Sequence, residues 1–171
     1  KARVRCGAAK QLQDRDDIRF GFVGGGGRRG EISDFVQEHG LTNVVEKDYE
    51  PREKLEDLLR LGDVHLITQR PEFTGVVVPS KLFGIMAAGR TSLFVGPPDA
   101  EVARVLDETG GGIRFPLGDA DTLADVIPQL AHDSGRVRQM GADALHASQH
   151  EHHRHSRFHA REDLLLGVCP Y

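Results

Sequence analysis

The stretch VVPSKLFGIMAAG at residues 77–89, followed directly by RTSLFVGPPDAEVARVL at 90–106, decides the fold of this 171-residue chain. Pro79 and Ser80 introduce an apolar helix, and a short apolar run and a second helical segment follow at once. Short apolar strands that alternate with amphipathic helices are typical of a mostly parallel sheet with both faces covered. The stretch therefore predicts an α/β fold.

The start of the helix at Ser80 is also a candidate anion site. A helix N-terminus leaves its first backbone N–H groups without partners and carries a partial positive charge. Ser80, Lys81 and Leu82 are therefore predicted to offer backbone donors to a phosphate. Lys81 would add a formal positive charge at the same place.

The same alternation extends along the chain and predicts a doubly wound sheet, in which ligands bind beyond the carboxyl ends of the strands. Gly40 is expected to close the second helix, and Pro51 to open the third. The expected strands are 18–23, 43–46, 64–68, 92–95 and 112–115, and the expected helices are 3–12, 28–39, 51–62, one opening at Pro79, 100–109 and 121–132.

Composition excludes several classes of protein. Hydrophobic residues make up 39% and charged residues 28%, with a net charge of −4, which is typical of a soluble globular protein and predicts no nucleic-acid partner. Cys6 and Cys169 have no metal-type spacing and predict neither a disulfide scaffold nor a structural metal. No apolar run reaches the roughly 18 residues needed to span a bilayer, and Lys1 opens a charged segment rather than a signal peptide. The expected location is the cytoplasm.

Three further segments occur in a recognisable order: GFVGGGG at 21–27, DVHLITQRPEFTG at 63–75 and FVGPPDAEVARVL at 94–106. Together with the Pro79 helix, they resemble the C-terminal, donor-binding half of GT-B glycosyltransferases of the glycosyltransferase 4 type, which carry P-S-K-L-[FY]-x-x-M-A-A-G. The resemblance runs from about Ala8 to about Ala142. It implies a Rossmann-like half of a GT-B architecture. It also implies transfer of a sugar from a nucleotide sugar, expected to be UDP-linked, to a glycan or lipid-linked acceptor in surface polysaccharide synthesis, without a cofactor or a metal.

The resemblance implies roles for particular residues. Glu72 would be the catalytic carboxylate, in contact with the transferred sugar or stabilising positive charge at its anomeric carbon. Ser80, Lys81 and Leu82 would hold the donor diphosphate. Gly25 in the glycine turn and Arg28 after it would join them, although the glycines could equally serve only to permit positive φ.

One position departs from the family pattern. Many relatives carry Glu or Asp where this chain has Gly84, and that acid is expected to bind the ribose hydroxyls. Glu101 is the candidate replacement, although an acid in the first turn of a helix is also favoured by the helix dipole alone. The base would lie against the loop that contains Tyr49.

The resemblance also bears on how the chain is organised. Residues 1–145 are expected to form the Rossmann-like domain, with its opening strand missing, and 146–171 a histidine-rich helix or tail. An N-terminal acceptor domain is expected as the missing partner, so that the chain alone would be inactive. An unpaired sheet edge would favour a homodimer. Peripheral membrane association is expected only through the full-length protein.

Six histidines crowd the C-terminal segment: His146, His150, His152, His153, His155 and His159. Spacings of three and four put some of them on shared helix faces, but few acids accompany them, so a solvated terminal helix is favoured over a metal site. Two alternatives to a glycosyltransferase stay open. One is a GT-B-like nucleotide-sugar epimerase, and the other is a non-catalytic binding or metal-handling module.

Overall fold

The computed structural model describes residues 2–24, 29–49, 51–74 and 80–155. Five strands alternate with helices over these residues, which confirms the predicted α/β class. The elements are α1 (Ala2–Gln11), β1 (Phe20–Val23), α2 (Arg29–His39), β2 (Val44–Lys47), a 3₁₀ turn (Arg52–Lys54), α3 (Leu55–Leu61), β3 (Val64–Thr68), a second 3₁₀ turn (Pro71–Phe73), α4 (Ser80–Ala87), β4 (Thr91–Val95), α5 (Glu101–Thr109), β5 (Gly112–Phe115), α6 (Ala120–His132) and α7 (Ser134–His155).

The chain divides into two compact units. The first contains the residues up to Leu55 together with Gly118–Ser134, and the second contains Glu56–Leu117 together with α7 from Gly135 onward. Helix α7 runs without a break past residues 145 and 146, where the sequence pattern placed a domain boundary.

The first unit is built on a parallel pair of strands, in register from Phe20 opposite Val44 to Val23 opposite Lys47. Helix α1 packs against α2 and α6, and Cys6 and Ile32 are buried together. Asn43 is also fully buried, and its side-chain amide donates to the carbonyls of Ala9 and Leu12 at 2.8 and 3.1 Å. These bonds satisfy the end of α1, whose last carbonyls have no partner within the helix.

The second unit is a three-stranded parallel sheet in the order β3-β4-β5. All five residues of β4 are buried. Because successive side chains of a strand point to opposite faces, this burial shows that both faces of β4 are covered. The core around it comes from three helices: Leu82, Ile85 and Met86 of α4, Val102, Val105 and Leu106 of α5, and Ala144 of α7.

Within the second unit, α7 packs very closely against the end of α4 and the residue before β5, because glycines line the contact. A Cβ at Gly141 would lie 2.3 Å from the carbonyl oxygen of Gly89, and one at Gly111 would lie 2.9 Å from the Cβ of Ala144. Gly89 ends α4 with φ +66°, a conformation that side chains other than glycine rarely adopt.

Most of the predicted elements are present, with shifts at their ends. β3 and β5 have the predicted bounds, whereas β2 begins one residue later, at Val44. β1 begins at Phe20 rather than at residue 18, because the N–H of Ile18 donates to the carbonyl of Arg15 in a turn. Gly40 ends α2 with φ +60°, as predicted.

Candidate functional site

The predicted site residues of the second unit gather at one edge of its sheet. In a parallel sheet the carboxyl ends of the strands lie on the same side, and the loops that follow them form the usual ligand site. Glu72 follows β3, Ser80 opens α4 on the way to β4, and Glu101 opens α5 directly after β4. The structure therefore brings these three positions to the carboxyl edge of the sheet β3-β4-β5.

Helix α4 is fixed firmly while its first residues stay open to solvent. Leu82, Ile85 and Met86 are completely buried, whereas Ser80 and Lys81 are exposed. Leu82 can therefore reach a ligand only through its backbone N–H, because its side chain lies in the core. Pro79 lies outside the described residues. The start of α4, where the sequence predicted backbone donors for a phosphate, is thus exposed at the carboxyl edge of the sheet, while its next turn is anchored in the core.

Lys81 extends along β3. Its Nζ donates to the carbonyl oxygen of Leu66 at 3.5 Å, which is a long contact that a stronger acceptor can displace. A phosphate is such an acceptor, because a charge-assisted bond is shorter and about twice as strong as one to a neutral carbonyl.

His65 lies near the amino end of β3. Its Nε2–H donates to the carbonyl of Leu59 at 2.8 Å. Burial lowers the pKa of His65; the bond to Leu59 opposes this change, and the nearby Lys81 and Arg90 lower the pKa further. The imidazole is therefore neutral at neutral pH and serves as a structural hydrogen-bond donor.

Glu72 lies in the 3₁₀ turn that follows β3, with 61% of its side chain exposed. The turn is held by the N–H of Thr74, which donates to the carbonyl of Pro71, and by the side-chain amide of Gln69, which donates to Phe73. Its carboxylate lies 3.6 Å from the guanidinium of Arg70. Glu72 is thus an accessible carboxylate on an ordered turn.

Arg70 is a site candidate that the sequence did not single out. Its guanidinium lies 5.8 Å from the centre of the Phe73 ring and reaches Glu72, while its Nε is buried without a hydrogen-bond partner among the described residues. This side chain places a positive charge beside the predicted catalytic carboxylate. Its position two residues before Glu72 was visible in the sequence, but its inward turn against Phe73 depends on the fold of the loop.

Gly84 faces the side chain of Leu59. A Cβ at this position would lie 3.3 Å from Cδ1 of Leu59, so a larger residue fits only if that methyl group moves by a few tenths of an ångström. The glycine therefore lets Leu59 pack closely against α4 one turn from its start, where the resemblance implied a ribose-binding acid.

Glu101 is engaged in an ion-pair cluster on its own helix. Arg104 donates to both of its carboxylate oxygens, one of them at 3.1 Å, and also to Glu108 at 2.7 Å. These hydrogen bonds raise the pKa of Arg104 above its ordinary range. About half of the Glu101 side chain is exposed, so a ribose hydroxyl can still reach it, but in competition with Arg104.

The other predicted residues belong to the first unit. Gly25 and Arg28 lie outside the described residues, next to Gly24, which has φ +117°. Arg29 opens α2 and pairs with the carboxylate of Asp48, which follows β2. Tyr49 is 59% exposed beside Asp48. Arg29, Asp48 and Tyr49 lie at the carboxyl edge of the β1-β2 pair.

A small cavity of about 130 Å³ lies between the loops that follow β4 and β5. Ligand pockets for whole cofactors are roughly 300–1,000 Å³, so this cavity is too small to hold a nucleotide. Its lining is mostly apolar and consists of Gly96, Pro97, Pro98, Ala103, Arg114, Phe115 and Pro116.

The described residues lack two features that would bear on function. No group of three or more histidine, cysteine, aspartate or glutamate side chains is arranged to hold a metal ion within this part of the chain. Nor does any described helix combine the length and the apolar character that crossing a membrane requires.

Two curated proteins are similar to the chain in sequence. WcaI of Escherichia coli (strain K12), named for glycosyl transfer in colanic acid biosynthesis, is 33% identical over 106 residues. WbjE of Pseudomonas aeruginosa, named as a glycosyltransferase, is 33% identical over 127 residues. These matches cover 62% and 72% of this chain but only 26% and 31% of the relatives. The chain thus spans about a quarter to a third of their length. No family model matches it.

Solved structures share the fold. HepE of Anabaena in complex with UDP has a TM-score of 0.71 at 14% identity, and its complex with UDP-glucose has a TM-score of 0.69 at 19% identity. WaaG, a glycosyltransferase involved in lipopolysaccharide biosynthesis, has a TM-score of 0.69 at 17% identity. These likenesses cover 85–86% of this chain and 38–40% of those chains. The resemblance to GT-B glycosyltransferases and the Rossmann-like α/β fold are both confirmed.

Proposed function

We propose that this chain, which has the fold of GT-B glycosyltransferases, is the donor-nucleotide-binding domain of a glycosyltransferase that uses a UDP-linked sugar. The observation that carries the proposal is the rigid start of α4, where exposed Ser80 and Lys81 lie at the carboxyl edge of the sheet. The complexes of HepE with UDP and UDP-glucose support UDP as the nucleotide, because HepE shares the fold.

In this proposal the donor diphosphate binds at the start of α4. The backbone N–H groups of Ser80, Lys81 and Leu82 donate to its oxygens, and the Lys81 ammonium leaves Leu66 to join them. When the bond from the sugar to the diphosphate breaks, its electron pair leaves with the diphosphate. Donors already fixed around that oxygen stabilise the growing negative charge without any rearrangement. The mechanism therefore requires no metal ion.

Glu72 is the proposed catalytic carboxylate. Breaking the bond to the diphosphate leaves positive charge at the anomeric carbon, and an ionised carboxylate facing that carbon stabilises it. The guanidinium of Arg70 lies 3.6 Å from this carboxylate and pairs with it until the sugar binds. Gly25 and Arg28 are proposed to contact the diphosphate, and Tyr49 and Glu101 the base and the ribose.

The proposed acceptor is a glycan or a lipid-linked saccharide in surface polysaccharide synthesis. This proposal is supported by the names of WcaI and WaaG, which refer to colanic acid and lipopolysaccharide biosynthesis. Transfer across a GT-B cleft needs a second domain to hold the acceptor in line with the donor. Donor binding is therefore the property to measure on this chain.

The experiment is a titration of the chain with UDP, GDP and uridine, with and without a chelator, followed by amide chemical shifts. We expect UDP to shift the amides of Ser80 to Leu82 equally well with the chelator present. In Lys81→Ala, we expect UDP binding to weaken by on the order of tenfold and uridine binding to stay unchanged, because one charge-assisted bond to phosphate is worth about 1.5–3 kcal/mol.

The matched control is Lys10→Ala, which removes an exposed lysine from α1 in the other unit. Lys10→Ala should bind UDP as the parent chain does. An equal loss of UDP and uridine affinity in Lys81→Ala would exclude the proposed phosphate contact. If the amides of Ser80 to Leu82 respond to GDP and not to UDP, the proposed site stands but its nucleotide is GDP. If the amide shifts are confined to other residues, the proposed site is wrong.

A further inference from the structure

Two histidines on the exposed side of α7 turn their rings toward each other. His146 and His150 are four residues apart, and residues at this spacing are neighbours on one helix face. Their Nε2 atoms are 3.0 Å apart, and their ring centres are 4.3 Å apart at an angle of 62°. Both side chains are exposed. The two ring nitrogens thus lie side by side on the helix surface, within hydrogen-bonding distance of each other.

The spacing of the nitrogens matches that of two ligands on one metal ion. A zinc–imidazole bond is about 2.0–2.1 Å, so two such nitrogens lie about 2.9 Å apart at a right angle and about 3.3 Å apart at the tetrahedral angle. The separation between His146 and His150 falls between these values. A metal ion can therefore replace the hydrogen bond between the two nitrogens at nearly the same separation, and it then uses the lone pairs of both.

The helix beneath the pair is anchored. Ala144 is completely buried in the core of the second unit, and Ala147 packs against the same core. The opposite face of α7 thus fixes the backbone that carries both histidines. A chelating pair on a fixed helix gains affinity, because once one imidazole has bound, the second is already in place.

We propose that His146 and His150 form a chelating site for one divalent cation of the late first-row class, such as Zn²⁺, Ni²⁺ or Cu²⁺. Imidazole ligands suit these ions, whereas Mg²⁺ and Ca²⁺ prefer oxygen. Water occupies the remaining coordination positions, because the described residues offer no third histidine, cysteine or acid to the same ion. The site is separate from the proposed donor site and serves no step of sugar transfer.

The test isolates the pair within the full-length chain. His152, His153, His155 and His159 are replaced by glutamine, so that they cannot bind the ion, while His146 and His150 remain. We expect this distal-histidine variant to bind one Zn²⁺ per chain by calorimetry and to show a higher midpoint of thermal unfolding with Zn²⁺. Mg²⁺ should have neither effect.

The matched control starts from the distal-histidine variant and exchanges two exposed residues of α7 by combining Ala142→His with His146→Ala. The amino-acid composition and the number of histidines stay the same, but the remaining pair is then eight residues, or about 12 Å, apart along the helix. We expect Zn²⁺ affinity to fall by on the order of tenfold or more, because the chelate is lost. His150→Gln should show the same loss, and circular dichroism should show unchanged helix content.

Equal Zn²⁺ affinity in the distal-histidine variant and in the exchange variant would overturn the proposal, because it would mean that single surface histidines account for the binding. Absence of Zn²⁺ binding by the distal-histidine variant would overturn it as well. Neither outcome depends on UDP binding, which is measured separately.

Discussion

At the scale of single residues, Gly84 is the clearest departure from the pattern that the chain otherwise follows. It leaves α4 without the acid that the resemblance implied for the ribose, and Glu101 is engaged by Arg104. Leu59 leaves room for a larger residue at position 84 only after a small shift. Placing a carboxylate at position 84 therefore tests whether the ribose of the donor binds next to α4.

Gly84→Glu should strengthen binding of UDP and of uridine by a similar factor, on the order of tenfold, because a carboxylate bonded to ribose hydroxyls contributes about 1.5–3 kcal/mol. The measurement is a titration with both ligands. Gly84→Ala is the control, because it adds the same Cβ against Leu59 without a carboxylate. If Gly84→Ala increases the affinity for UDP and uridine as much as Gly84→Glu does, stabilisation of the helix explains the increase and the carboxylate does not.

The partners of the site residues show what the sequence could predict. The pairing of Glu101 with Arg104 follows from their spacing of three on a helix, so the sequence contained it. Arg29, at the start of α2, pairs with Asp48, which follows β2 and is 19 residues further along the chain, and no local pattern predicts this pairing. Positions at the ends of strands were therefore predictable, whereas the contacts of their side chains depend on tertiary structure.

At the scale of elements, α7 is the largest difference from the sequence prediction. Its buried face is made by Val137, Met140, Ala144 and Ala147, at helical spacing, but two of these residues are small. Small residues give a weak hydrophobic signal even where they allow the closest packing. The strands were easier to predict, because their apolar runs lie between glycines and prolines.

The closest contact of α7 provides a prediction for this element. Gly141→Ala places a methyl group 2.3 Å from the carbonyl oxygen of Gly89, so α7 must move away from the end of α4. We expect a net loss of up to about 2 kcal/mol in the free energy of unfolding, because overpacking costs about 1–3 kcal/mol and alanine returns about 1 kcal/mol of helix propensity. Urea unfolding measures this difference.

Gly30→Ala in α2 is the matched control, because a Cβ there meets no atom within 4 Å. It should leave stability unchanged or raise it slightly through helix propensity. If Gly141→Ala were as stable as Gly30→Ala, the close packing of α7 against Gly89 would be wrong.

At the scale of the whole molecule, His65 links stability to pH. Its pKa is lowered in the folded chain, so below about pH 6.5 the unfolded chain binds a proton that the folded chain does not. The free energy of unfolding must then fall as the pH falls, by at most about 1.4 kcal/mol per pH unit from this group. The loss continues until the lowered pKa is reached.

His65→Gln should reduce this dependence, because glutamine keeps a donor for the carbonyl of Leu59 but cannot take up a proton. The measurement is urea unfolding at several pH values between about 7.5 and 5.5. If the free energy of unfolding changes with pH as steeply in His65→Gln as in the parent chain, groups other than His65 cause the pH dependence.

The glycine contact between α4 and α7 also has an evolutionary consequence. The obstacle at Gly141 is a backbone oxygen, so no second substitution at residue 89 can remove it. Descendants of this chain that keep the contact must therefore inherit glycine at position 141, whatever happens to their surface residues. In a homologue with a side chain at position 141, α7 is expected to pack at a different position relative to α4.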